Sequence, residues 1–456
     1  MRLSAANLHA LPADIVHPTY ARSAQSVGIV HFGIGAFHRA HQAVYADDAM
    51  IRGEHGWGII GVSLRSAAVA EQLNPQDGFY TLITRSAAGD ALRPIAAVQC
   101  VLVASAQAQA VIDAIAAPGT HIISFTITEK GYCRGTDGSL DPTLADAGSI
   151  YPFLHRGLAA RRRAGLPGLT LLSCDNLSDN GVQLSRLLGE YLARHDPAVL
   201  DWFQTRCSCP SSMVDRIVPA TTPADRETLA QRLGMRDEAV VVTEPYSQWV
   251  IEDRFAGPRP QWQHSGVQLV EDVAPWEAAK LRMLNGAHSA LAYLGLAHGH
   301  EFVHQAVADP LIAPSIRQLM LDEAAPTLPP MPGFDAQIYA TALLARFANP
   351  ALRHRLAQIA MDGSQKIPQR WLQTTLSAAH SGRDTPAILT ALAAWIRHSQ
   401  GANGPIDDPL AANFAALWKN ASLEQGIAAL FGAGSSSLIA SLPDASLQRL
   451  SAILRT

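Results

Sequence analysis

Three polar side chains stand in one apolar, helix-forming stretch: Lys280, Asn285 and His288, within "WEAAKLRMLNGAHSALAYLG", residues 276–295. At an ideal winding of about 100° per residue, Asn285 lies about 140° and His288 about 80° round from Lys280. The three then share one broad face over about 12 Å of helix axis. An ammonium, an amide and an imidazole among apolar neighbours need polar company. As chemistry, they are tools for oxidising an alcohol. A desolvated lysine gives up its proton more easily and can take one from a hydroxyl. An amide can donate to the oxygen on which negative charge develops, and an imidazole can hold a second hydroxyl. The competing reading is structural: a snorkelling lysine, with the amide and the imidazole satisfied by backbone. Glu277, three residues before Lys280, reads on the same terms as a surface partner.

A second stretch, "VHFGIGAFHRAHQ", residues 30–42, has the start of a dinucleotide turn. An apolar run leads into Gly33 and Gly35, and a helix follows. Gly33 permits a tight turn, Gly35 admits a pyrophosphate close to the backbone, and the helix start offers free N–H groups. A third glycine belongs at position 38, but His38 stands there. His38 and His41 share a helix face at i, i+3, yet two histidines fall short of the three protein ligands of a catalytic zinc. The second apolar run ends without the acidic residue that holds a ribose hydroxyl; Arg65 follows it and could meet a 2′-phosphate. Three other segments end apolar runs with polar residues: "SCDNLSDNG" with Asn176, "SSMVDRIVPA" with Asp215 and Arg216, and "AMDGSQKIPQR" with Lys366. Their structural readings are a cap, an internal ion pair and a solvated turn.

These residues need a scaffold. Strand-like runs at residues 27–32, 58–63, 79–84, 92–103, 121–128 and 168–176 alternate with helical ones at 36–50 and 106–116. Such alternation predicts βαβ units and a mostly parallel α/β sheet, with ligands at the carboxyl ends of its strands. The pattern changes near residues 270–275 to Ala- and Leu-rich helices punctuated by prolines. We therefore expect a Rossmann-like domain over residues 1–272 and a largely α-helical domain over 273–456. The Ser-rich "GAGSSS", residues 432–437, reads as a helix–helix loop. Of 456 residues, 48% are hydrophobic and 16% charged, the balance of a packed protein. A net charge of −4 leaves no basic footprint for nucleic acid. No apolar run has the length of a bilayer span, and no secretory leader is recognisable. The five scattered cysteines suit reduced thiols and the cytoplasm.

Taken together, "IVHFGIGAFHRAHQAVYAD", "FTITEKGY", "SCDNLSDNG", "MVDRIVPA", "EPYSQWVIED", "KLRMLNGAHSALAYLG" and "NPALRHRLAQIAMDGSQKIPQR" resemble the polyol-specific long-chain dehydrogenases. This is the family of mannitol dehydrogenases and fructuronate reductases, and the blocks follow its order over most of the chain. The resemblance implies an active site between the two domains and metal-independent hydride transfer to a nicotinamide. It implies Lys280 as general acid and base, Asn176 and Asn285 as the amide pair at the reacting oxygen, and His288 as a contact to substrate. It also implies Asp215 and Lys366 in the substrate pocket and Glu277 as proton relay. Phe32, Gly33, Gly35, Ala36 and Phe37 would carry the cofactor, NAD, with NADP admitted by Arg65.

Mannitol dehydrogenases tend to have an arginine eight residues before the pocket lysine, where this chain has Gln358. The expected substrates are therefore D-mannonate and D-fructuronate, with D-mannitol and D-fructose as the alternative. A catalytically silent NAD- or sugar-binding protein is the reading from another class. A carboxylate needs a cation, for which Arg282, Arg353, Arg355 and Lys366 are candidates. The family pattern itself has the histidine of position 38. We expect the helix to stand off the strand there, or the His38 side chain to turn outward and frame the pocket.

Overall fold

Residues 1–135, 137–432 and 437–455 are described by the structure, a computed structural model. The Ser-rich stretch expected as a loop falls mostly on residues 433–436, outside that range. The chain divides into two compact units, Met1–Ala274 and Pro275–Thr456.

Among its described residues the first unit carries eleven strands: β1 (Val27–Phe32), β2 (Gly58–Ser63), β3 (Tyr80–Ser86), β4 (Gly89–Ile95), β5 (Val98–Val103), β6 (Ile122–Phe125), β7 (Thr170–Ser173), β8 (Ser212–Asp215), β9 (Val241–Thr243), β10 (Gln248–Glu252) and β11 (Gln268–Val270). Five of them form a parallel sheet ordered β5-β2-β1-β6-β7. Its central strands are buried along nearly their whole length, which is why they read as unbroken apolar runs and not as alternation. Val30, Phe32, Ile123, Phe125 and Leu171 feed one face of the core, and Ile29, Ile59, Ile122 and Leu172 the other. The remaining strands depart from a single sheet. β3 and β4 form an antiparallel hairpin that takes β9 in parallel, and β8, β10 and β11 form a third sheet.

The strand order fixes where a ligand can enter. From β1 the chain moves to one side through β2 and β5, then returns to build β6 and β7 on the other. The crevice at the carboxyl ends of β1 and β6 is therefore a topological switch point.

Helices dominate the second unit, packed around Leu291, Ile316, Met320, Trp371, Leu392 and Trp395. Among its described residues three short segments wind more widely than an α-helix: Lys280–Asn285, Leu319–Ala324 and Pro368–Leu372. Among the described residues no helix is long and apolar enough to cross a membrane.

Candidate active site

The glycine turn lies at the switch point. Gly33 follows β1 with φ of 93°, a conformation open to glycine and costly for other residues. A Cβ there would sit 2.1 Å from the carbonyl oxygen of Thr126, just past β6. Gly35 is different: a Cβ on it would meet nothing nearer than Gly33 O at 3.8 Å. The fold demands the first glycine and leaves the second free to face a ligand. Phe32 contributes backbone to this turn, because its ring is buried against Phe125. Ala36 and Phe37 open the helix that follows. Arg65 is exposed just beyond the end of β2.

That helix corrects the continuous run expected over residues 36–50 and decides between the two placings expected for His38. It runs only from Ala36 to Ala40, breaks at His41 (φ −124°, ψ −88°) and restarts as Gln42–Ile51. His38 does not turn outward. It is fully buried, and its ring stacks on that of His31 in β1 at 3.4 Å between centroids and 16° between planes. Two imidazoles fill the space that a glycine would have closed by direct backbone contact.

His31 is pinned in turn. Thr126 Oγ1 donates to Gly33 O at 2.7 Å, so it must accept from His31 Nε2 at 2.9 Å. His31 Nδ1 then accepts from Ser124 Oγ at 2.8 Å. Burial holds the His31 imidazole down at about 3 and that of His38 well below the ordinary range. His41 points elsewhere, its Nε2 donating to Gln248 O at 2.8 Å. The carbonyls at the helix break are met from outside, Arg39 O by the Tyr80 hydroxyl at 2.5 Å and Ala40 O by the Arg216 guanidinium. Arg216 also donates to Glu244 O at 3.0 Å, so the internal Asp215–Arg216 pair gives way to an arginine that ties backbone together.

Two more expected site residues belong to this unit. Asn176 is exposed beyond the carboxyl end of β7, before the helix Asn180–His195. Its neighbour Asp175, which sequence reasoning passed over, is buried. It accepts from the N–H groups of Ile127 at 3.1 Å and Thr128 at 2.8 Å and from the Tyr132 hydroxyl at 2.9 Å. It thereby ties the loop after β6 to the end of β7, and burial raises its carboxyl despite these donors. Asp215, 6% exposed, ends β8 in the third sheet.

In the second unit Lys280 is 9% exposed and opens the wide segment. Gly286 N–H reaches back five residues to Leu281 O. This overturns the ideal-helix geometry: i→i+5 bonding brings residues five apart much closer to one side of the helix. Lys280 and Asn285 are such a pair. Ordinary winding resumes at Gly286 and carries His288, whose ring stacks on Phe347 and meets His354 edge-on at 4.8 Å. Its Nε2 is buried with no hydrogen-bond partner among the described residues. Burial, then the charges of His354, Arg370, Arg346 and Lys366, push its imidazole well below the ordinary range, so it is neutral. Glu277 is half-buried one turn before Lys280.

Of the four cations expected for a carboxylate, three are drawn elsewhere. Arg282 Nη1 donates to Thr327 O at 2.7 Å and Oγ1 at 3.0 Å. Arg353 lies over the Phe302 ring at 4.9 Å, and Arg355 pairs with Glu301 at 3.5 Å. Lys366 remains, half-buried, with Nζ donating to Met361 O at 2.5 Å. Arg370, four residues on, joins it and was missed. Its only sequence signal is that one-turn spacing from the lysine. Burial pulls the Arg370 guanidinium down to about 10, and burial and Arg370 lower the Lys366 ammonium.

Comparison with known proteins agrees with this fold. Residues 27–264 match the family model described as the mannitol dehydrogenase Rossmann domain, and residues 272–443 that of the mannitol dehydrogenase C-terminal domain. The uncharacterized oxidoreductase YeiQ of Escherichia coli K12 is 41% identical over 440 residues, 92% of this chain and 90% of that protein. The D-mannonate oxidoreductase of the same strain is 40% identical over 423 residues, 88% and 86% of the two chains. Among solved structures, the ternary complex of Pseudomonas fluorescens mannitol 2-dehydrogenase with NAD and D-mannitol is similar at a TM-score of 0.83 and 36% identity, covering 100% of this chain and 96% of that one.

Proposed function

Because the chain belongs to the mannitol dehydrogenase family, we propose that it is an NAD-dependent oxidoreductase interconverting a secondary alcohol of a hexonate and its keto form, D-mannonate and D-fructuronate. The first unit is the cofactor domain in this reading and the second the catalytic one. The turn from Phe32 to Phe37 would hold the dinucleotide, and the unobstructed Gly35 supports that fit. Bound there, NAD supplies the hydride acceptor and, reduced, the donor.

The chain's own residues handle the proton and the substrate. Lys280 takes the hydroxyl proton during oxidation and returns it during reduction, with Glu277 as its relay. The Asn285 and Asn176 amides donate to the reacting oxygen. A neutral imidazole has one donor and one acceptor nitrogen, which suits His288 to a neighbouring hydroxyl. Asp215 accepts from a further hydroxyl.

The observation that carries the choice of substrate is Lys366, half-buried and held through the backbone oxygen of Met361, with Arg370 one turn on. Paired cations of this kind favour a carboxylate over a neutral polyol. Steady-state reduction of D-fructuronate and D-fructose, each with NADH and NADPH, tests the reading. We expect the highest kcat/KM for D-fructuronate with NADH. A preference for D-fructose would make the protein a mannitol 2-dehydrogenase, and cofactor binding with no turnover on either would favour a silent binding protein.

A further inference from the structure

Two adjacent side chains reach the lysine segment where its winding changes. Trp371, fully buried, donates from Nε1 to Gly286 O at 3.1 Å. Arg370 donates from Nη1 to Ser289 Oγ at 2.6 Å, with a longer approach of 3.4 Å to Asn285 O. Asn285 is the last residue of the wide segment and Gly286 the first of the ordinary helix. We propose that Arg370 and Trp371 are positioning residues, which hold the wide turn in place and so keep Lys280 and Asn285 on one side. The inference rests on the reading that these two carry the chemistry.

The argument starts from winding. An i→i+5 turn is rare and is used in short pieces, so something must favour it over the α-helix available to the same residues. Donors fixed on the carbonyls at its boundary supply that preference, because they are satisfied only while the boundary stays between residues 285 and 286. The donors are themselves presented by a wide turn, in which Gln373 N–H reaches Pro368 O. Pro368 opens it: the residue has no N–H to give and its ring crowds the carbonyl four residues back, so the ordinary helix is already interrupted where the wide winding begins. The two segments lie close, since a Cβ on Gly286 would be 3.5 Å from Arg370 O. One wide turn, opened by Pro368, thus presents the donors that hold the other.

Trp371→Phe removes the N–H and keeps one aromatic ring in place; Arg370→Ala removes the second tie, and Arg370→Lys keeps a cation and a donor. With D-fructuronate and NADH, we expect Trp371→Phe and Arg370→Ala each to lower kcat about ten- to a hundredfold. The KM for NADH should hold, and both proteins should still unfold in one cooperative transition, at a lower temperature than wild type because buried volume is lost. The limb of the pH–rate profile set by Lys280 should move, and Arg370→Lys should recover part of the Arg370→Ala loss. The Gly286 N–H should exchange with solvent faster in Trp371→Phe than in wild type. Folded Trp371→Phe and Arg370→Ala proteins with wild-type kcat and an unmoved pH limb would overturn the proposal, as would unchanged Gly286 exchange. Wild-type turnover in Lys280→Ala would instead remove the chemical reading on which it rests.

Discussion

The helix after β1 and the helix bearing Lys280 look alike in sequence, each a continuous helix-forming run, and each is interrupted in the structure. The interruptions are of opposite kinds. After β1 the helix stops at His41, and its stranded carbonyls are taken by Tyr80 and Arg216. At Lys280 the helix continues and widens, with backbone bonds kept at i→i+5. On the proposed function, the first segment offers backbone to a ligand and the second offers side chains. The two sites should therefore fail differently when altered.

The largest effect expected is at Lys280. Lys280→Ala should cut turnover about a hundred- to ten-thousandfold while NADH binding and the unfolding temperature stay near wild type. Steady-state kinetics with fluorescence titration of NADH measures both. Parallel loss of NADH affinity and stability would erase the distinction between the two regions.

Gly33→Ala should fail the other way. Its positive φ and the 2.1 Å approach to Thr126 O combine backbone strain with overpacking, together about 3 kcal/mol. Stability and NADH binding should fall together, read by urea unfolding and the same titration. An unaltered unfolding curve would mean that the turn is looser than its geometry.

The smallest effect is a change of slope. His31 and His38 have folded values depressed from 6.5 by burial, that of His31 to about 3. Below pH 6.5 the unfolded chain binds protons at both positions and the folded chain does not. Their contribution is thus fully present above pH 6.5 and is lost as pH falls from there toward 3. His38→Phe keeps a ring in the stack and removes one titration, so its unfolding midpoint should fall less than wild type between about pH 7 and pH 5. An identical fall in both proteins would show that His38 does not contribute.

What was legible follows from what leaves a mark on residue type. The central strands are buried on both faces and so had to be apolar. Gly33 is required by its own backbone angle, and the turn could be placed from it. The break at His41 left no local trace, because the groups that accommodate it lie at Tyr80, Arg216 and Gln248, far along the chain. The wide turn at Lys280 was invisible for another reason: the same residues suit an α-helix, and the separation read from ideal winding was wrong for Asn285. Charge was legible at Arg282, Arg353 and Arg355, but Thr327, Phe302 and Glu301, which claim them, were not. The role of Arg370 was hidden because its partners lie on a helix more than eighty residues earlier.

The stacked imidazoles also bear on how this turn can vary. A glycine in contact with a strand is a single-site constraint. A ring against a ring makes positions 31 and 38 one unit of variation. Changing either alone leaves a ring-sized hole or an ill-fitting neighbour, whereas a matched exchange of both restores the spacing. Effects of substitutions at the two positions should be strongly non-additive, and this coupling, more than either residue alone, would govern which replacements the nucleotide turn tolerates over evolutionary time.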